Sequence, residues 1–301
     1  MKKTINIVGV VTFVMSILSL AGFIYNLLFY ESIRPGIYEF ADISGILETM
    51  QIPVALSYIF VFIFHIVAVL YIFFQLMYFK KEDILRAFLF FLGIISTIMV
   101  IGDFALLSDI GKEYMLGLDT SGEWSVLYGN QAVHLLFAVL IPIFVIHSRR
   151  KASTGKEEEK VLRDEAIFIN TQYVGIFCGI FGIGVFAVLS AYTPLWALKK
   201  GIFTISLIAV LPYLLIAAYW LIVKIREKTG QWYDEKQYLD ISRGSLFTMI
   251  VSIITMTIIF VVQYFVKAFE FMTITWFPFF VFLVLLLFSG TTLYYAKRAS
   301  G

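Results

Sequence analysis

The sequence predicts an all-α fold, a polytopic helical membrane protein with about eight transmembrane helices, and three observations carry that prediction. Of the 301 residues, 60% are apolar and only 15% are charged, and the mean hydropathy is +0.90. A soluble domain carries about 25% charged residues to wet its surface, so the solvent around this chain has to be largely lipid. The apolar residues also fall in runs close to the roughly 20 residues a helix needs to cross a bilayer. Finally, the runs lack the alternation with period two that marks transmembrane strands.

Eight segments follow, at about 5–29, 53–78, 87–107, 130–147, 166–190, 202–224, 245–266 and 274–295. The first begins with Lys2-Lys3 and passes Ser19-Leu20-Ala21, which imitates a cleavable signal peptide. The apolar run continues through Phe23-Ile24-Tyr25 to Leu28, which favours a retained span. Orientation comes from Lys and Arg, which concentrate on the cytoplasmic side. With both termini inside, eighteen basic residues fall in inward segments and five (Arg34, Lys112, Lys199, Lys200 and Lys267) in outward ones. This places the protein in the cell membrane with both termini cytoplasmic. Trp124, Trp196 and Trp276 then mark the outer boundary, and Trp220 and Trp232 the inner one, as an aromatic belt does.

The spans divide into a first membrane half, 1–150, a charged cytoplasmic linker at 151–165 (KASTGKEEEKVLRDE), and a second half, 166–301. Thr154 and Glu157 have capping-box spacing, so a short linker helix is expected to run into the fifth span. Weak internal similarity is compatible with duplication. Val8-Gly9, Thr12 and Ser16 match Val174-Gly175, Cys178 and Gly182 at one offset. Four spans per half is an even number, so the copies would be parallel. The halves differ outside. The first has two long outward loops, 30–52 and 108–129, and Ile37, Phe40, Ile43, Leu47 and Met50 at helical spacing suggest a helix lying in the interface.

Several function classes are excluded or disfavoured. One cysteine, Cys178, allows no intrachain disulfide framework and no cysteine-based metal cluster. The three histidines show no metal-binding spacing, no glycine-rich phosphate loop precedes a helix, and no basic stripe suits a nucleic acid. No catalytic residue, resident metal or cofactor is expected, and an enzyme is the less favoured class.

Ionisable groups inside a bilayer are costly and therefore functional candidates. His65 lies near the middle of the second span, Asp103 in the outer part of the third and His134 in the outer part of the fourth. Tyr58 and His65 share a face seven residues apart, as do Ser96 and Asp103, while Asn130 and His134 stack four apart. These six residues are the expected ligand-binding set, with at least two of the ionisable three lining a cavity open to the outside. The bland alternative is that each polar group satisfies a neighbour in a packed bundle. Counting residues puts His65 on the order of 10 Å deeper than the other two, which argues against two imidazoles sharing one haem iron. On the seventh span Ser245, Thr248, Ser252, Thr255 and Gln263 form a polar stripe that could line a path or hold helices together. The stripes Gly9, Thr12, Ser16, Ser19 and Gly175, Gly179, Gly182 read as packing seams between halves or between protomers.

The pattern points to binding or transport of a small solute, a cation being one candidate, with the bilayer as the surrounding partner. The alternative is a non-catalytic sensor, immunity factor or accessory subunit that meets a membrane protein partner or forms a homo-oligomer.

Overall fold

A computed structural model describes residues 2–39, 43–78, 83–115, 121–153, 163–192, 195–226, 235–265 and 276–298. Among the described residues there are eight helices and no strands: α1 (Lys2–Glu39), α2 (Ile43–Tyr78), α3 (Ile84–Met115), α4 (Ser121–Ser153), α5 (Arg163–Tyr192), α6 (Leu195–Arg226), α7 (Glu235–Phe265) and α8 (Trp276–Arg298). Seven of these hold described stretches long and apolar enough to cross a membrane. In α6 the described apolar stretch is the shorter Ile208–Ile222. The chain is therefore a helical, membrane-embedded, multi-pass protein. Its exposed surface agrees: Ile7, Ile17, Ile101, Ile143, Leu214 and Phe260 are each half exposed or more, as side chains against acyl chains are.

The helices outrun the apolar segments. The residues expected to form a separate interfacial helix are instead divided, with 37–39 ending α1 and 43–50 opening α2. Apolar spacing of three and four residues specifies a helix but not its direction, so a helix lying flat and an extension of a span have the same signature. The second long loop is likewise mostly helical, because α3 reaches Met115 and α4 starts at Ser121. Of the expected linker at 151–165, residues 151–153 end α4 and 163–165 open α5, and 154–162 lie outside the described residues.

Two compact units are present. One comprises Met1–Gln75 and Leu92–Glu157, the other Leu76–Phe91 and Glu158–Gly301. In the first, α1 packs on α4, and the core is aromatic: Phe23, Phe64, Tyr71, Phe137 and Phe144 are buried. In the second, α5 is the central helix, with 67% of its span buried, and packs on both α6 and α8. Helix α7 packs on α8 and has only 11% of its span buried. Three glycines explain the α5–α8 contact. A Cβ at Gly175 would strike Ser289, one at Gly179 would strike Leu286, and one at Gly182 would enter the Phe282 ring. This corrects the expected partner of the seam, which lies inside one unit, between its first and last complete helices. A GxxxG spacing shows that some backbone comes close and carries no information on which one. Gly9 of α1 similarly sits against the ring of Tyr71, and Thr12, Ser16 and Ser19 of its stripe are fully buried.

Candidate functional site: a buried hydrogen-bonded chain

Three helices of the first unit bring polar groups together. Helix α2 supplies His65. Helix α3 supplies Ser96 and Asp103, which are seven residues apart and so lie on one face two turns apart. Helix α4 supplies Asn130, Gln131 and His134. Gly93 lies one turn before Ser96, and a Cβ there would press on Phe137 and Val69, so its absence lets α3 approach its neighbours at this level.

The groups form a line. His65 Nδ1 donates to the carbonyl of Val61, one turn earlier on its own helix, at 2.7 Å. Its Nε2 lies 2.8 Å from Ser96 Oγ. The same hydroxyl oxygen lies 2.7 Å from His134 Nδ1. His134 Nε2 is 3.1 Å from Asp103 Oδ2. Two amides complete the Asp103 end, Asn130 Nδ2 donating to Oδ1 at 2.6 Å and Gln131 Nε2 to Oδ2 at 2.8 Å. Two amide N–H donors and an imidazole nitrogen that can also donate converge on one carboxyl group, an arrangement that suits a carboxylate, which only accepts.

Aromatic rings enclose the line. Phe23 of α1 stacks on His134 at 5.7 Å with the planes 10° apart. Phe64 meets His65 edge-on at 5.1 Å, and Phe137 lies 5.2 Å from the same imidazole. His65, Ser96, Asp103 and His134 are each 0% exposed. Among the described residues these side chains point inward and pack against one another, where a cavity open to the outside was expected. Asn130 alone keeps partial exposure, at the Asp103 end.

Of the six residues expected as a set, five are brought into this one cluster; the side chain of Tyr58 lies outside the described residues. The anticipated separation of the imidazoles needs correction, since their ring centroids are 5.3 Å apart. Depth counted along Cα positions ignores the reach of two imidazoles toward a hydroxyl set between them. Both rings nevertheless face Ser96 rather than a common point, and among the described residues no group of three or more His, Cys, Asp or Glu could hold a metal ion. Gln131 and Phe23 were missed by sequence reasoning. Gln131 had a signal, because it lies three residues before His134 and so on the same side of α4.

The polar stripe on α7 sits elsewhere, in the second unit. Thr248 and Ser252 are buried, Thr255 is half-buried and Ser245 is exposed, while the side chain of Gln263 lies outside the described residues. Gly244, four residues before Thr248 and on the same face, has no room for a Cβ beside Thr292 of α8, and its carbonyl accepts from Thr291. The stripe therefore turns toward α8.

Fold and cluster together define the class, a multi-pass helical membrane protein with an enclosed polar centre. No family profile, curated protein or solved structure matches the chain.

Proposed function

We propose that the protein binds or transports a small cation at the cluster of His65, Ser96, Asp103, Asn130 and His134 in its first unit, in a closed conformation here. One observation supports this most: a carboxyl group and two imidazoles are joined in a single hydrogen-bonded line inside an apolar bundle. Packing alone does not call for it. Apolar side chains would fill the same volume, and a buried ionic group is costly to retain. Asp103 is the member that can carry negative charge, and Asn130 at its side is partly exposed.

The test is reconstitution into sealed vesicles with imposed gradients of H+, Na+, K+ or an organic monocation. Asp103→Asn, which keeps the shape and removes the charge, is expected to lower the cation response about tenfold or more, equivalent to about 1.4 kcal/mol of binding. Equal responses from folded wild type and Asp103→Asn would remove this reading.

A second reading, a sensor or accessory subunit acting through a membrane partner, has its own observation. Helix α7 buries only 11% of its span and shows Leu246, Met249, Ile250, Ile253 and Ile254 outward, a face that another helix could cover as well as lipid. Silent vesicles together with crosslinking of Ile253→Cys to one defined protein would favour it.

A further inference from the structure

We propose that His65, Ser96, His134 and Asp103 hold one shared proton and pass it along their hydrogen-bonded line, so that the cation taken up by this cluster is H+. The inference rests on reading the cluster as a cation site, and it comes from counting hydrogens.

Four contacts run from Val61 to Asp103: carbonyl to His65, His65 to Ser96, Ser96 to His134, and His134 to Asp103, at 2.7, 2.8, 2.7 and 3.1 Å. Each needs one hydrogen between its two heavy atoms. Both ends are acceptors, a carbonyl oxygen and a carboxylate. Two neutral imidazoles and one hydroxyl bring three hydrogens for four contacts. The Ser96 hydroxyl can then point to only one ring. The other ring nitrogen would face the oxygen lone pair to lone pair, and the enclosed line would carry an uncompensated negative charge. A fourth hydrogen closes every contact and brings the net charge to zero.

That hydrogen has three places to rest. With His65 doubly protonated, its Nε2–H donates to Ser96, Ser96 O–H donates to His134 Nδ1, and His134 Nε2–H donates to Asp103. If the Nε2 hydrogen of His65 moves to Ser96 Oγ while the Ser96 hydrogen moves to His134 Nδ1, His134 becomes the imidazolium. If His134 Nε2 then gives its hydrogen to Asp103 Oδ2, every member is neutral. In each transfer one N–H or O–H bond breaks for each one formed, and no heavy atom has to move far. The side chains seen packed on the line include Phe23 from α1, Phe64 from α2, and Phe137, Asn130 and Gln131 from α4, and none of these titrates. The titratable members are the three already in it, one from each of α2, α3 and α4. The far end stops at the backbone carbonyl of Val61, so exchange with water takes place at Asp103, beside Asn130.

The chain has three histidines, and His147 is exposed, so His147→Gln leaves only the two of interest. Nitrogen-15 NMR of the full-length, histidine-labelled variant in lipid nanodiscs counts the protonated ring nitrogens. The carboxylic C=O stretch that Asp103→Asn abolishes gives the proton on Asp103. At neutral pH the ring and carboxyl protons are expected to total three, one more than two neutral imidazoles and a carboxylate hold; a total of two overturns the proposal. On titration the two rings are expected to shift together, and Ser96→Ala to uncouple them. Independent titration in the wild type overturns it as well. The outcomes separate from those in vesicles. A total of three with no cation movement leaves the shared proton standing and removes transport, whereas a total of two with movement of a metal or organic cation does the reverse.

Discussion

Ser96 has the smallest side chain in the cluster, and the cluster's geometry depends on it. Its oxygen lies within hydrogen-bond distance of both imidazoles, and it is fully buried. Replacing it by alanine leaves ring nitrogens facing carbon, at a cost of about 1–3 kcal/mol for an unsatisfied buried polar group. The expected result is a lower thermal midpoint for Ser96→Ala, read from the loss of helical circular dichroism. For the second unit the chain has its own reporter: Cys178 is the single cysteine and is fully buried, so a thiol-reactive dye signals unfolding there without an added label. At this scale the sequence reveals charge better than contact. His65, Asp103 and His134 stand out because ionisable groups in apolar runs are expensive, and Ser96 and Asn130 follow from helical spacing. The ring of Phe23 was invisible, since one phenylalanine among 31 in the chain carries no mark.

Between helices the glycines decide. Gly182 and Gly184 are two residues apart on α5, yet a Cβ at the first would enter the Phe282 ring and a Cβ at the second meets nothing. Gly182→Val is therefore expected to destabilise the α5–α8 contact by about 1–3 kcal/mol through overpacking. Gly184→Val is expected to stay within about 0.5 kcal/mol of the wild type. Comparing the two by Cys178 unmasking tests the seam directly, and equal midpoints would contradict it. The close approach was legible in the spacing Gly175, Gly179, Gly182, but the partner was not, because Ser289, Leu286 and Phe282 lie a hundred residues or more away and look like any apolar span. A similar gap separates helix existence from helix extent. The eight apolar runs announce eight helices, whereas the lengths of α1 and α3 depend on polar turns beyond the apolar stretch, where hydropathy is silent.

For the molecule as a whole, helix α4 offers the simplest test of the proposed orientation. It is unbroken from Ser121 to Ser153, 33 residues, and at 1.5 Å per residue that is about 50 Å, longer than the hydrocarbon core. Cysteines placed at its two ends are thus expected to label from opposite sides with an impermeant reagent in intact cells, Ser121→Cys from outside and Ser153→Cys only after lysis. The reverse pattern would invert the proposed topology. Duplication, also a proposal, gains an internal parallel. The first helix of the early spans packs on the fourth, α1 on α4, and the fifth packs on the eighth, α5 on α8. Finally, among the described residues the line of hydrogen bonds has one door. It meets the half-buried Asn130 at one end and stops at a backbone carbonyl of Val61 at the other. In electrical terms such an element is a capacitor and not a resistor. A pH jump across the bilayer is expected to give a brief displacement of charge that decays to zero, and a sustained current requires a second conformation in which the deep end opens.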